Sequence, residues 1–92
     1  MIQSFKGKLA VQVWRRVRSR LPQDVQRRAL LRLAALHAAE DLGTLKVPPG
    51  NRLEALSGDR QGQWSIRIND QWRICFRWDG QDAHDVEIVD YH

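Results

Sequence analysis

Hydrophobic and polar residues alternate along residues 72–78, which read WRICFRW. Successive side chains of a β-strand point to opposite faces, so this pattern predicts a strand with one face for a core and one face that carries Arg73 and Arg77. Residues 63–69 alternate in the same way, and residues 53–56 and 83–89 are further strand candidates. Short turns join these segments, which predicts a four-stranded antiparallel meander.

Helical periodicity precedes the strands. Leu9, Val13 and Val17 recur at a spacing of four and predict a helix over residues 6–20. A second helix is predicted over residues 22–41, with Pro22 at its first position and Gly43 beyond its end. Its apolar stripe consists of Val25, Ala29, Leu33, Leu36 and Ala39.

The predicted fold is a single α+β domain over residues 1–92 with the order β-α-α-β-β-β-β. Residues 1–5 are the candidate for the first strand, and residues 46–50, with two prolines, form a linker. The two N-terminal helices would pack on the Trp/Ile/Phe face of the antiparallel sheet. The arginine face would then remain open to solvent or ligand.

Composition narrows the class of protein. The 92 residues are 42% hydrophobic and 28% charged, which is ordinary for one globular domain. No run of 18 apolar residues and no secretory signal pattern occur, and a single cysteine, Cys75, excludes an internal disulfide. The three histidines lack metal-ligand spacing. A cytoplasmic protein without membrane contact, metal or cofactor is therefore expected.

Charge is distributed unevenly along the chain. Residues 1–35 hold nine Lys and Arg residues against Asp24 alone, whereas residues 36–92 are net acidic. A basic half favours a polyanionic partner, nucleic acid before membrane, with Arg15, Arg16, Arg27 and Arg28 as candidate RNA ligands. The alternative is that these arginines are the solvated faces of two helices.

Proton-transfer groups lie together at Asp90, Tyr91 and His92. With Arg73 as a phosphate ligand, and Arg67 or Arg77 beside it, they suit metal-free RNA cleavage, in which a ribose 2′-OH attacks the adjacent phosphate. The alternatives are a frayed chain end, a solvated arginine face, and tryptophans that serve only the core. Residue patterns alone thus indicate a small α+β domain, and they leave nucleic-acid binding and a solvated basic surface as open alternatives.

The stretch PPGNRLEALSGDRQGQWSIRINDQWRICFRW, together with VEIVDYH, resembles the HigB-type toxins of the RelE/ParE toxin–antitoxin superfamily. The resemblance covers nearly the whole chain and implies the RelE-like form of the fold. It also implies a ribosome-dependent endoribonuclease that cleaves translated mRNA. The implied partner is a HigA-like helix-turn-helix antitoxin, through which alone the pair would contact operator DNA.

The resemblance also assigns site residues. Asp90, Tyr91 and His92 match the catalytic segment of the family, and Arg73 matches its phosphate-binding sheet arginine. Two positions differ from some members, which have histidine and lysine where this chain has Glu54 and Ser57. The general base is then either Glu54, with His92 as the acid, or His92 and Tyr91 together. Two other functions stay open, a gyrase poison of the same superfamily and a non-catalytic regulatory binding module.

Overall fold

Two helices precede a four-stranded antiparallel sheet in the computed structural model, which describes residues 1–91. The helices are α1 (Leu9–Trp14) and α2 (Gln23–Ala38), and the strands are β1 (Glu54–Ala55), β2 (Trp64–Arg67), β3 (Trp72–Asp79) and β4 (Asp82–Asp90). Short 3-10 helices occupy Leu42–Lys46, Pro49–Asn51 and Gly58–Arg60. The strands are ordered β1-β2-β3-β4, so the predicted meander is confirmed.

The register of the sheet decides which side chains are neighbours. Cys75 of β3 lies between Ser65 of β2 and Glu87 of β4, and β1 continues this row with Glu54 opposite Ser65. Directly paired residues share a face of the sheet, so these four side chains belong to the face opposite the helices. Beyond Cys75 the register with β4 shifts by a bulge.

The core lies between the helices and the other face of the sheet. From α2 it takes the predicted stripe, whose members Val25, Ala29, Leu33 and Leu36 are buried, and from the strands it takes Ile66, Ile74, Phe76 and Trp72. Trp64 and Trp78 pack partly buried against this cluster. The tryptophans therefore serve the core, as their shared phase in the alternation predicts.

Helix α1 is much shorter than predicted. It ends at Trp14 because Arg16 adopts a left-handed backbone conformation, with φ of 60°. The N–H of Arg16 donates to the carbonyl of Val13, and that of Val17 to the carbonyl of Gln12. These are the two hydrogen bonds of a Schellman motif, which normally places glycine at the left-handed position. Because the left-handed residue is an arginine and not a glycine, the sequence contains no end signal, and the apolar spacing predicted a helix that is too long.

Helix α2 also ends early, at Ala38, since Ala39 turns to extended backbone. Asp41 then accepts a hydrogen bond from the Thr44 N–H at 2.9 Å and caps the 3-10 helix that contains Gly43. An aspartate that caps a new helix competes with continuation of the old one. Gly43 was therefore the wrong end signal.

The first five residues do not form the predicted continuous strand. They run parallel to β4 and pair with it through two isolated bridges, Ile2 with Ala83 and Phe5 with Val86. Between the bridges, Asp85 has a left-handed φ of 53°, which interrupts a regular ladder. Among residues 1–91, no helix has the length and apolar character needed to cross a membrane.

Candidate functional site

Arg73 lies at the centre of the site and is only 8% exposed. Its Nε donates to the Ser65 hydroxyl at 2.9 Å and its Nη2 to the Arg52 carbonyl at 2.6 Å. The expectation of an open arginine face is therefore wrong here, because the loop that leads into β1 folds over the sheet. A cation this buried is stable only with several polar partners, and these contacts supply them.

Two candidate catalytic side chains flank Arg73. The Glu54 carboxylate lies 3.8 Å from its Nη1, and the Tyr91 ring centroid lies 5.5 Å from its guanidinium carbon. Glu54 is half exposed and Tyr91 is exposed, so both face solvent beside a held cation. The structure thus brings together Arg73, Glu54 and Tyr91, which come from three separate segments.

Asp90 takes a different position from its neighbour in sequence. It lies opposite Trp72 in the register, whereas Val89 lies opposite Arg73. Because paired residues share a face, the Asp90 side chain starts from the helix-packed face and Tyr91 returns to the Arg73 side. Asp90 and Tyr91 therefore start from opposite faces of the sheet, although both line the groove at its end.

Gln71 ties the end of β4 to the turn before β3. Its carbonyl accepts the Tyr91 N–H at 2.5 Å, and its side-chain amide donates to Asp90 Oδ2 at 3.1 Å. These bonds hold the last described residues against the sheet. The third predicted terminal residue, His92, lies outside the described part of the chain.

Arg60 and Glu87 were not recognised from the sequence. The Arg60 guanidinium donates to Glu87 at 3.0 Å and to Gln63 at 3.1 Å. Arg60 lines a groove of about 440 Å³ together with Val89, Asp90 and Tyr91. The only sequence signal was an arginine in the turn before β2, which says nothing about the partner 27 residues away.

Hydrogen bonding and burial shift the pKa of two groups on this face of the sheet, Arg60 and Cys75. The hydrogen bond from Arg60 to Glu87 raises the pKa of Arg60, so its guanidinium stays charged. Burial raises the pKa of the Cys75 thiol, which is fully buried on the same face. A thiol of this kind stays protonated at neutral pH and is a poor nucleophile.

The other arginines of the sheet are less firmly held. Arg67 forms an ion pair with Asp70 in the β2–β3 turn, and its carbonyl accepts from Arg32 of α2 at 3.2 Å. Arg77 pairs with Asp85 at 3.4 Å across the bulge. Both Asp70 and Asp85 are well exposed, so these pairs are weak and the arginines can exchange their partners for a phosphate.

A second basic surface lies on the helix side. Arg15, Arg16, Arg27 and Arg28 are all exposed. A groove of about 780 Å³ runs between the segment that follows α1 and the first turns of α2, with Arg16 and Arg27 among its lining residues. These arginines lie away from Arg73, on the opposite side of the sheet.

Comparison with known proteins identifies the family. Residues 3–92 match the family described as the RelE-like toxin of the type II toxin–antitoxin system HigB. The chain belongs to the HigB-like toxins. The endoribonuclease HigB of Proteus vulgaris is 40% identical over the full length of both chains. Toxin HigB-1 of Vibrio cholerae is 40% identical over 58 residues, which are 63% of this chain and 61% of that toxin.

The family and the geometry agree on the architecture. The α+β fold, with two helices on one face of an antiparallel sheet, is the RelE-like fold that the sequence resemblance implied. A HigB-like toxin is one half of a type II pair, so an antitoxin is its partner. In the described residues, no three His, Cys, Asp or Glu side chains form a metal-binding group.

Proposed function

We propose that this HigB-like toxin is an endoribonuclease that cleaves mRNA during its translation on the ribosome. The observation that carries the proposal is the held guanidinium of Arg73, with the Glu54 carboxylate 3.8 Å from it and the Tyr91 ring 5.5 Å from it. The relative from Proteus vulgaris, matched over its whole length, bears the name endoribonuclease. Cleavage inhibits translation and so arrests growth.

The reaction is an internal transfer at phosphorus that needs only protein acid–base groups. The ribose 2′-OH loses its proton to a base and attacks the adjacent phosphate, and the 5′-oxygen of the next nucleotide leaves with a proton from an acid. Arg73 stabilises the negative charge that develops on the phosphate. Glu54 accepts the 2′-OH proton, and His92 donates to the leaving oxygen.

The remaining terminal residues support this chemistry. Tyr91 offers an exposed ring beside Arg73, on which a base of the substrate stacks. Asp90, bound to Gln71, keeps the end of β4 and hence Tyr91 in place. If Glu54 does not act as the base, His92 and Tyr91 share the proton transfers.

RNA is bound on both sides of the molecule. Arg60, Arg67 and Arg77 lie on the sheet side and bind the mRNA strand near the scissile phosphate. The exposed helix-side arginines Arg15, Arg16, Arg27 and Arg28 bind ribosomal RNA.

The antitoxin partner is a HigA-like protein with a helix-turn-helix domain. It binds the toxin and carries the pair to the operator, so this chain has no operator contact of its own. Translating ribosomes place the toxin's action in the cytoplasm. The proposal thus names the ribosome, mRNA and one antitoxin as partners.

Mapping of mRNA 5′ ends after induction of the toxin tests this function. New ends within translated codons are expected, and they should disappear when translation is blocked beforehand. A gyrase relaxation assay on the same cells is the control for the other toxic activity of the superfamily. Inhibited gyrase with intact mRNA would identify a gyrase poison, and intact mRNA with active gyrase would leave a regulatory binding module.

The variant His92→Ala tests the acid–base step. Removal of one such group commonly lowers the rate by about 10²- to 10⁴-fold. The variant is expected to fold, to bind the antitoxin and to permit growth. A folded His92→Ala protein with undiminished toxicity would remove His92 from the mechanism.

A further inference from the structure

The guanidinium of Arg73 has two edges that can each bind an anion through two N–H groups. The side edge carries Nε and one hydrogen of Nη2, and the end edge carries Nη1 and the other hydrogen of Nη2. The protein engages two of the three nitrogens, since Nε donates to Ser65 Oγ at 2.9 Å and Nη2 donates to the Arg52 carbonyl at 2.6 Å. The third nitrogen, Nη1, belongs to the end edge and faces the exposed Glu54 carboxylate at 3.8 Å.

Ser65 is well placed to fix the orientation of the Arg73 guanidinium. It is fully buried in β2, between Glu54 of β1 and Cys75 of β3. A buried hydroxyl costs free energy unless it is hydrogen-bonded, and the Arg73 side chain satisfies it. Because strand pairing on both sides holds its backbone, the hydroxyl is a rigid anchor for Nε.

The Arg52 carbonyl supplies the second anchor. Arg52 has a left-handed backbone, with φ of 45° and ψ of 59°, where the 3-10 helix Pro49–Asn51 ends. This conformation turns the chain so that the carbonyl meets Nη2 over the sheet. A main-chain oxygen persists through side-chain substitution at position 52, which leaves Ser65 as the anchor that mutation can remove.

We propose that Ser65 is a positioning residue for catalysis, which fixes Arg73 so that its end edge meets the scissile phosphate. The inference rests on the proposed function, in which Arg73 binds that phosphate. Without the Ser65 hydroxyl, the guanidinium rotates and also offers Nε, so the phosphate is held in more than one geometry. A misplacement of about 1 Å costs on the order of 10²-fold in rate.

The test is single-turnover cleavage of a ribosome-bound mRNA by Ser65 variants. Ser65→Ala is expected to lower the cleavage rate about 10- to 100-fold. Ser65→Thr keeps the acceptor and should cleave near the wild-type rate, whereas Ser65→Cys, with a somewhat larger and weaker acceptor, should give an intermediate rate. A folded Ser65→Ala protein that cleaves at the wild-type rate would overturn the proposal.

A matched serine controls for the loss of a hydrogen bond as such. Ser4 Oγ accepts the Asp85 N–H at 2.8 Å beside β4, at the other edge of the sheet from β1. Ser4→Ala therefore loses a hydrogen bond of similar length but should cleave as the wild type does. Thermal melting of all variants separates slower cleavage from unfolding, and equal rate losses in Ser4→Ala and Ser65→Ala would contradict a positioning role.

A double-mutant cycle shows whether Ser65 acts through Arg73. Lysine at position 73 has no Nε–H for the serine, so Ser65→Ala should change the rate of Arg73→Lys by no more than about 2-fold. The same 10- to 100-fold loss in both backgrounds would overturn the inference while Arg73 keeps its role. Wild-type cleavage by Arg73→Lys and Arg73→Ala would instead remove Arg73, and with it the proposed phosphate site.

Discussion

Arg73 is a buried charged side chain whose hydrogen-bond acceptors are uncharged groups. Its nearest carboxylate, on Glu54, lies 3.8 Å away, while a hydroxyl and a carbonyl accept its hydrogen bonds at shorter distances. A close ion pair in the interior would neutralise the positive charge that the proposed phosphate contact requires. Neutral acceptors hold the guanidinium and leave its positive charge available for a phosphate.

Glu54 is the residue on which the choice of general base depends. It is half exposed and lies 3.8 Å from the Arg73 guanidinium, so solvent screens its charge and Glu54→Gln should change the stability by less than about 1 kcal/mol. If Glu54 is the base, cleavage should fall by about 10²- to 10⁴-fold, measured in single turnover. The exposed carboxylate Glu40 provides the control, since Glu40→Gln should cleave normally. Wild-type cleavage by Glu54→Gln would assign the base to His92 and Tyr91.

Cys75 makes the stability of the protein fall with rising pH in the alkaline range. Burial raises the pKa of its thiol in the folded state above the ordinary 9.0, so the folded protein holds the proton more tightly than the unfolded chain. The stability from this difference is fully present below pH 9.0 and is lost as the pH rises through the folded pKa. Urea unfolding of Cys75→Ala from pH 8 to pH 10.5 should show a smaller alkaline loss than the wild type, and parallel curves would contradict this origin.

At the scale of elements, the first five residues depend on contacts with distant parts of the chain. The Ile2 N–H donates to His37 Nδ1 of α2 at 3.1 Å, and the His37 ring lies 5.2 Å from the Trp14 ring of α1. At the same end, the Met1 ammonium lies 3.5 Å from Asp82, whose pKa is lowered by a hydrogen bond from Gln3 and by that ammonium. The segment is thus tied directly to α2 and to β4, and through His37 to Trp14 of α1.

The variant His37→Phe tests this tie. It keeps a ring against Trp14 but leaves the partly buried Ile2 N–H without its acceptor, so a loss of about 1 kcal/mol is expected from urea unfolding. Faster hydrogen exchange of the Ile2 amide should accompany the loss. Unchanged stability together with unchanged exchange would show that the contact contributes nothing.

The end of helix α1 differs from the end that the local apolar pattern predicts. The apolar spacing of Val13 and Val17 continues past the end of α1, yet Arg16 takes the left-handed conformation that costs a non-glycine residue free energy. The consequence is that Arg15 and Arg16 lie at and beyond the helix end instead of along its face. The turn also helps to form the groove beside α2.

Across the whole molecule, basic groups lie on two sides of the sheet. The held cation Arg73 and the groove beside Arg60 lie on one side, and the exposed arginines of the helix region lie on the other. In the proposed function, cleavage and ribosome binding belong to separate surfaces. Variants of the two surfaces should therefore fail in different ways.

Salt dependence distinguishes the two surfaces. Replacement of Arg15, Arg16, Arg27 and Arg28 by glutamine should weaken co-sedimentation with ribosomes and flatten its dependence on salt, by roughly 0.7–0.9 in logarithmic slope for each lost phosphate contact. The variant His92→Ala serves as the control, because it should sediment as the wild type does while it cleaves slowly. An unchanged salt slope in the quadruple variant would mean that these arginines are only solvated surface.

The fold could be inferred from the sequence because its signals are local. The alternation around Ile74 and Phe76 and the α2 stripe that contains Leu33 follow from backbone geometry and the burial of apolar side chains, and both appear in the core. The resemblance to the family singled out Arg73 and the last three residues as candidate site residues. The exact helix ends could not be predicted from these local signals, since an arginine at a left-handed position gives no recognisable end signal.

The sequence by itself thus determined the order of the two helices and four sheet strands, the core and the identity of the candidate catalytic residues. Only the tertiary structure decided how they meet: Ser65 and the Arg52 carbonyl on Arg73, Arg60 on Glu87, and Tyr91 beside Arg73. These contacts join residues 8 to 27 positions apart, and they depend on strand register and on one loop that folds over the sheet. Turn geometry and the burial of one sheet face set the register, and packing of the loop on the sheet sets its path, so the alternation within a single strand encodes neither.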